Sequence, residues 1–263
     1  MELQIINFDT IYSTYKYNGS SFNTRFSLLA PLTNVKNIYL KSLEMPVGFC
    51  NVRSGGTLNT FSILFNGTTY SIVLPDTNYT SITQLCSDIN NAFNSGGAGT
   101  ILPSGAILTL TVINKNIDCN VQSSSSIISL SIVPTQLSQY ILGFKSSDSG
   151  IVVHGSKYTT DIIGSNWYNL NVDNYISLFL SNIQATTTSN NNGSYCSFKV
   201  LLTTTNGNIL YDCENQTFSQ CISLSENPSP IAFIDCVIYD RFGNSLNNNG
   251  YDYSLSLGFE FWD

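Results

Sequence analysis

Charged side chains are scarce in this sequence of 263 residues. Lysine and arginine together number 10 and aspartate and glutamate 17, so 10% of the chain is charged and the formal net charge is −7. Binding to a nucleic-acid backbone depends on clusters of lysine and arginine, and the sequence contains none. The scarcity of lysine and glutamate, which are common on the exposed sides of helices, also argues against a helical bundle. We therefore expect no nucleic-acid partner and a fold that is not mainly helical.

Long apolar runs are missing as well. No stretch of 18 or more apolar residues occurs, and a helix needs about 20 to cross a bilayer. The first ten residues, MELQIINFDT, lack the basic segment followed by an apolar one that marks a secretory signal. We expect neither a membrane-spanning segment nor an export signal.

Side chains that commonly carry catalysis or bind metal ions are few. His154 is the single histidine, and one histidine cannot build a histidine-rich zinc site. The GxSxG motif of serine hydrolases, the phosphate-binding P-loop and the EF-hand loop do not occur. We therefore predict that the protein is not an enzyme and has no catalytic residues, no cofactor and no metal site.

The cysteines are odd in number and include no CxxC pair. They are Cys50, Cys86, Cys119, Cys196, Cys213, Cys221 and Cys236. Several stand inside apolar runs, and no export signal is expected. We interpret them mainly as reduced, small side chains of the core.

Uncharged polar residues take the place of the missing charges. The sequence holds 31 Asn, 36 Ser and 24 Thr, while 42% of it is hydrophobic and 12% aromatic. A chain with this hydrophobic content can bury a core. Its length fits one large all-β domain or two smaller ones.

Short strands between turn signals predict an all-β fold. Residues 61–65 and 70–74 alternate in hydrophobicity on either side of Asn66-Gly67, a pair that type I′ hairpin turns favour. In residues 35–45 the alternation of apolar and polar residues shifts by one position near Lys41, which predicts a bulge. About eleven or twelve such strands, spaced by turns, predict a sandwich or a barrel.

One helix interrupts the strands. Five apolar residues from Ile82 to Phe93 lie on one helical face, and Gly96-Gly97 ends the pattern. The helix follows the hairpin directly. We therefore predict a small α+β insertion domain over residues 59–144, with residues 1–58 and 145–263 forming one discontinuous β-sandwich.

Several segments together resemble a known family. A strand ends in a proline within LKSLEMPVGFCNV (40–52), and residues 59–93 contain an N-x-F strand pair, LP-x-x-x-Y and a helix with IN. The segments ILGF (141–144) and NLNVDNYISLFLSNI (169–183) follow, and then DRFGNSL (240–246) precedes an alternating strand. In this order the segments resemble the penton (minor capsid) proteins of the double-jelly-roll lineage of DNA viruses, which includes virophages, polinton-like viruses and giant viruses.

The resemblance implies a fold and a role. The fold would be a single jelly-roll β-sandwich that carries an insertion domain. The protein would form a homopentamer at each five-fold vertex of an icosahedral capsid and contact the major capsid protein there. It would be located in the virion, after synthesis and assembly in the host cytoplasm.

Tryptophans are candidates for a subunit interface. Trp262 lies on the opposite side of its strand from Phe259 and Phe261, and Trp167 stands in a polar segment. Exposed Tyr and Trp side chains also stack on sugar rings. A glycan- or receptor-binding jelly-roll module, such as a fibre head or a lectin, is therefore the alternative function.

An enzymatic function is a third alternative. A glycosidase would need convergent carboxylates, and an esterase would need a dyad with His154. The candidate carboxylates are Asp235, Asp240 and Asp252. We expect Asp240, which precedes Arg241 and a glycine turn, to have a structural role. Asp235 stands in an apolar strand and must be paired if it is buried.

Overall fold

The chain divides into two structural units in a computed structural model of the whole sequence. Met1–Phe49 and Asp173–Asp263 form the first unit, and Cys50–Val172 form the second. The structure describes residues 3–17, 22–94, 102–103, 105–124, 127, 129–148, 151–153, 158–183, 197–205, 207–213, 221–225 and 229–262.

Strands make up most of the regular structure in these residues. A 3-10 turn at Thr10–Tyr12 and a π-helical turn at Leu137–Ile141 accompany one α-helix. In chain order the elements are β1 (Leu3–Asp9), β2 (Tyr15–Lys16), β3 (Asn23–Leu32), β4 (Val35–Pro46), β5 (Thr60–Phe65), β6 (Thr68–Val73), α1 (Ile82–Asn94), β7 (Ala106–Ile113), β8 (Asn116–Ser123), β9 (Leu130–Val133), β10 (Ile151–Val153), β11 (Tyr158–Ile163), β12 (Tyr175–Leu180), β13 (Phe198–Leu201), β14 (Ile209–Cys213), β15 (Cys221–Ser223), β16 (Ile231–Tyr239) and β17 (Ser254–Phe261).

The first unit is a sandwich of two antiparallel sheets. The first sheet has the order β1-β17-β4-β14, with β15 also pairing with β4, and the second has the order β13-β12-β16-β3-β2. If the eight main strands are numbered along the chain without β2 and β15, the sheet orders are 1-8-3-6 and 5-4-7-2. These are the strand orders of a jelly roll, so the predicted all-β jelly-roll fold is confirmed.

Alternation within the strands builds the core of the sandwich. Leu255, Leu257 and Phe259 of β17 point inward, as do Ile234 and Ile238 of β16, and each is at most 2% exposed. Burying a side chain of this size stabilises a fold by roughly 1.5–3 kcal/mol. The intervening residues of β17 are serine, glycine and glutamate, which face outward.

A bulge lies where the sequence predicts it. Ser256 of β17 pairs with Ser42, and the next residue, Leu257, pairs with Leu40, so Lys41 is left without a position in the ladder. A second shift follows where Glu260 pairs with Asn37 and Phe261 with Val35. Both bulges keep the apolar side chains of β4 on the core side.

The second unit contains the helix and two further sheets, β6-β5-β9 and β10-β11-β8-β7. Asn66 and Gly67 have φ values of 49° and 81°, as the predicted type I′ turn requires. The predicted helical face is buried as well, and its members are Ile82, Leu85, Cys86, Ile89 and Phe93. No helix in the described part of the chain is long and apolar enough to cross a bilayer.

The second unit extends beyond the insertion domain assigned to 59–144. Strand β11 pairs with β8 over six residue pairs. The residues of β11, which we had assigned to the sandwich, therefore lie in a sheet of the second unit. Neither strand was among those predicted from the sequence. In β8 only Ile117, Cys119 and Val121 are apolar, and they alternate with Asn, Asp and Gln, which are common in loops.

Candidate assembly surface

The outer face of the first sheet presents apolar side chains to solvent. Leu3 and Ile5 of β1 are 47% and 56% exposed, and Ile209 and Tyr211 of β14 are 61% and 54% exposed. Trp262, which directly follows β17, is 38% exposed. We call these five residues the assembly surface. Since β1 and β14 are at opposite ends of the sheet order, the surface has two separate apolar patches.

Small uncharged groups lie between the two patches. Residues Asn7, Ser256 and Ser42 stand opposite one another on β1, β17 and β4. The Ser42 hydroxyl donates to the Ser256 Oγ at 3.0 Å, and the Ser256 hydroxyl donates to Oδ1 of Asn7 at 2.6 Å. This part of the face therefore carries no charge.

An ion pair occupies one part of the same face. The Glu260 side chain is 8% exposed and lies 3.3 Å from Nζ of Lys36. Glu260 accepts hydrogen bonds from Nδ2 of Asn37 at 2.9 Å and from the Tyr39 hydroxyl at 2.6 Å. These two hydrogen bonds are the main reason that the pKa of Glu260 falls to about 2. The hydrogen bond to Glu260 also raises the pKa of Tyr39 to about 12. Glu260 is therefore ionised at neutral pH.

Trp262 lies beside this ion pair. Nζ of Lys36 is 5.0 Å from the centroid of the indole, within the range of a cation–π interaction. The backbone N–H of Trp262 donates to the carbonyl oxygen of Asn34 at 2.8 Å. The ring is therefore held on the outer face while part of it stays open to solvent. Its place opposite Phe259, which is buried, agrees with the alternation seen in the sequence.

Trp167 lies in the second unit and is 68% exposed. Nζ of Lys115 is 4.6 Å from the centroid of its ring. The two tryptophans therefore belong to different units, and each is a candidate contact of its own. Their participation in a subunit interface stays a prediction.

The three candidate catalytic carboxylates all have structural partners. The Asp235 carboxylate accepts hydrogen bonds from Nε and Nη2 of Arg25, both at 2.7 Å. Oδ1 of Asp240 accepts the backbone N–H groups of residues 242 and 244, at 2.9 and 2.8 Å, so Asp240 has the predicted turn role. Asp252 accepts from Nζ of Lys16 at 2.6 Å and from the Thr10 hydroxyl at 2.7 Å. His154 lies outside the described residues.

The described cysteines range from buried to exposed, with Cys50 and Cys213 partly buried. The six that the structure describes are free, and Cys86, Cys119 and Cys236 are buried, as expected of core side chains. Burial raises the pKa of Cys86 and of Cys236 to about 12. Cys221 in β15 is exposed, contrary to that expectation, because it belongs to a short strand with only one buried residue. Cys196 is outside the described residues.

The network around Glu260 was not found from the sequence. Lys36, Asn37 and Tyr39 are more than 220 residues from Glu260 in the chain, and they meet it only because β17 pairs with β4. The one local signal is a charged residue between Phe259 and Phe261 in an otherwise uncharged strand.

Comparisons with known proteins give structural matches. No family model and no curated protein matches the chain. The crystal structure of mavirus penton protein aligns over 100% of both chains, with a TM-score of 0.46 and 10% sequence identity. A chain of the Sputnik virophage structure, determined by cryo-EM, aligns over 97% of both chains, with a TM-score of 0.37 and 13% identity. The resemblance seen in the sequence motifs was likewise to penton proteins and virophages.

Proposed function

We propose that this protein is a structural capsid protein of a virus, a penton, that forms a homopentamer at the icosahedral five-fold vertices and contacts the major capsid protein. The observation that carries the proposal is the jelly-roll strand order, with a separate unit inserted between β4 and β12. Jelly rolls are common building blocks of viral capsids. The family motifs in 40–52, 59–93 and 240–246 follow one another along the chain in the expected order.

The assembly surface supports a ring. A cyclic pentamer needs two different patches on each subunit, because its contacts are head-to-tail. The patch formed by Leu3, Ile5 and Trp262 and the patch formed by Ile209 and Tyr211 lie towards opposite ends of the first sheet. The row of Asn7, Ser256 and Ser42 between them is uncharged, and the charged residues of the face include both signs, with Lys36 beside Glu260 and with Lys41 and Glu44 on β4. Repulsion between like charges around a five-fold axis would therefore be low.

A non-enzymatic role fits the carboxylates. Asp235, Asp240 and Asp252 are each held by partners that maintain the fold. The role proposed here needs neither a cofactor nor a metal ion. As a capsid protein it would be found in the virion after synthesis and assembly in the host cytoplasm.

Native mass measurement tests the pentamer. We expect the purified wild-type protein to have five times the 28.9 kDa mass of the chain. Trp262→Ala, which removes the aromatic centre of one patch, is expected to shift the population towards monomer by at least about tenfold, as loss of an interface aromatic commonly does. Ile163→Ala, which truncates an exposed apolar residue of the second unit, serves as the matched control and is expected to stay pentameric. A wild-type protein that is monomeric at micromolar concentration would contradict the proposal.

A glycan- or receptor-binding module is the alternative. It is favoured by the aromatic rings on the outer face of the second sheet, where Phe179 and Tyr239 are 6.3 Å apart and Lys199 lies 4.2 Å from the Tyr175 ring. Saturable binding of a monomer or trimer on a glycan array would favour this function. Binding that is lost in Tyr175→Ala but kept in Trp262→Ala would locate it on that face.

A further inference from the structure

Strand β1 ends the first sheet, and one of its two edges has no strand partner among the described residues. It pairs with β17 over seven residue pairs with no shift of register. The N–H of Thr10, which immediately follows β1, donates to the carbonyl oxygen of Tyr253 at 3.0 Å. Hydrogen-bonding groups alternate in direction along an antiparallel strand. The backbone groups of Ile5 and Asn7 therefore point away from β17.

This edge lacks the features that usually prevent pairing with another chain. Natural edge strands commonly carry lysine, proline or a bulge. Residues 3–8 of β1 read LQIINF, with no charged residue and no proline. Leu3 and Ile5 are also largely exposed.

Another sheet edge in the same molecule is covered. Strand β7 ends its sheet, and helix α1 supplies its hydrogen-bond partners. The side-chain amide of Asn90 exchanges hydrogen bonds with the backbone N–H and C=O of Leu110, and the amide of Asn94 does the same with Leu108. The chain therefore satisfies the β7 edge internally and leaves the β1 edge open.

A groove of about 1080 Å³ runs along the open edge. Ile6 and Phe8 line it from β1, and Phe26 and Leu28 line it from β3. A strand added to β1 would place alternate side chains in this groove, so apolar residues are favoured at those positions. Leu29, in the irregular part of β3 between residues paired with β16, is fully exposed beside the groove.

The charge of the groove indicates which occupant it fits. Its charged lining residues, among those that the structure describes, are Asp9 and Glu44, both acidic. A second copy of this chain, with a net charge of −7, is a poor match for an acidic groove. A segment that carries lysine or arginine is a better one.

We propose that β1 is a docking edge for an extended segment of another protein, which pairs with β1, places apolar side chains in the groove and carries a basic residue beside Asp9 and Glu44. The segment would add a strand to the first sheet through main-chain hydrogen bonds. Leu3 and Ile5 belong to both sites, but the ring would use their side chains on the outer face, whereas docking uses the backbone edge of β1 and the groove lined by Ile6 and Phe8.

Peptide binding to two variants of one position tests the proposal. Ile5→Pro removes an N–H that points outward, and an edge strand tolerates proline there because no hydrogen bond to β17 is lost. Ile5→Thr keeps the N–H and is the matched control. The probes are labelled peptides of about eight residues that alternate valine and threonine, as edge-pairing segments do, with lysine at both ends or with glutamate at both ends.

We expect the lysine peptide to bind the wild type and Ile5→Thr, as measured by fluorescence anisotropy. Binding to Ile5→Pro, and binding of the glutamate peptide to the wild type, should be at least about tenfold weaker. Equal affinity of the two peptides, or unchanged binding by Ile5→Pro, would overturn the proposal.

Hydrogen exchange and the oligomeric state of the variants also test the proposal. Hydrogen exchange measured on the wild type tests the edge even if Ile5→Pro fails to fold. The amides of Ile5 and Asn7 should gain protection from exchange when the lysine peptide is added. No gain in protection would overturn the proposal. A wild-type dimer that Ile5→Pro dissociates would assign the edge to a second copy of this chain instead. A pentamer lost through Trp262→Ala with peptide binding intact would separate this site from ring assembly.

Discussion

Asparagine side chains pair with backbone groups at several of the described positions. The amides of Asn51, Asn90, Asn94, Asn182 and Asn248 each donate to a carbonyl oxygen and accept from a backbone N–H. One amide thus pairs as a residue of a neighbouring strand would. These contacts give a structural reason for part of the high asparagine content. The contact of Asn248 could not be predicted from the sequence, because its partner is about 200 residues away.

Glu260 should make folding stability depend on pH in the acidic range. Its pKa is about 2 in the folded protein against an ordinary value of 4.5, so its stabilising contribution is present above about pH 4.5 and is lost as the pH falls towards 2. We expect Glu260→Gln to lower the melting temperature at neutral pH and to weaken its fall between about pH 5 and pH 2. Thermal melts across this range measure the effect. Glu44→Gln, an exposed glutamate on the same face, is the control, and equal slopes for wild type and Glu260→Gln would refute the prediction.

Asp118 is expected to destabilise the second unit at neutral pH. Its Oδ1 atom is buried without a hydrogen-bond partner, and burial and then the nearby Asp161 raise its pKa. A raised folded pKa means that stability is greatest when the group is protonated and declines as the pH rises. Asp118→Asn should therefore stabilise the protein at pH 7 by about 1 kcal/mol, and the gain should shrink in acid. Urea unfolding at the two pH values checks this, and a loss of stability at pH 7 would contradict it.

Two glycines in the second unit allow the backbone and steric costs of an added methyl group to be separated. Gly67 and Gly143 have φ values of 81° and 82°. A Cβ at Gly67 would meet no atom within 4 Å, whereas a Cβ at Gly143 would lie 2.3 Å from the carbonyl oxygen of Asn166. Gly67→Ala should therefore cost about 1 kcal/mol, from backbone strain alone. Gly143→Ala should cost at least about 2 kcal/mol more, from the steric clash. Equal free energies of unfolding for the two variants would contradict this account.

Elements with strong local patterns were predictable. The Asn66-Gly67 hairpin and helix α1 each depend on residues within a few positions of one another, and so does the bulge at Lys41. Strands β8 and β11 were missed because their apolar residues stand among Asn, Asp, Gln and Thr, which are common in turns and loops. A strand with few apolar residues has little pattern of its own.

At the scale of the whole molecule, the family resemblance implied the jelly-roll fold, and periodicity alone did not. Alternation predicts a strand but does not say which strand lies beside it. The same limit applies to the assembly surface. The side of the strand on which Trp262 lies could be read from the sequence, but Lys36 and Glu260 come together only through the pairing of β4 with β17.

The position of β17 has a consequence for synthesis on the ribosome. This strand lies between β1 and β4, so the first sheet stays split until residue 261 has been made. The second unit is one continuous segment that is complete at residue 172. Domains generally fold as units during synthesis. The second unit can therefore fold before the strands that pair with β1 and β4, and β16, which pairs with β3, have been synthesised. During that interval the apolar residues of β1, β3 and β4 are unprotected, and chaperone binding to the nascent chain would be concentrated there.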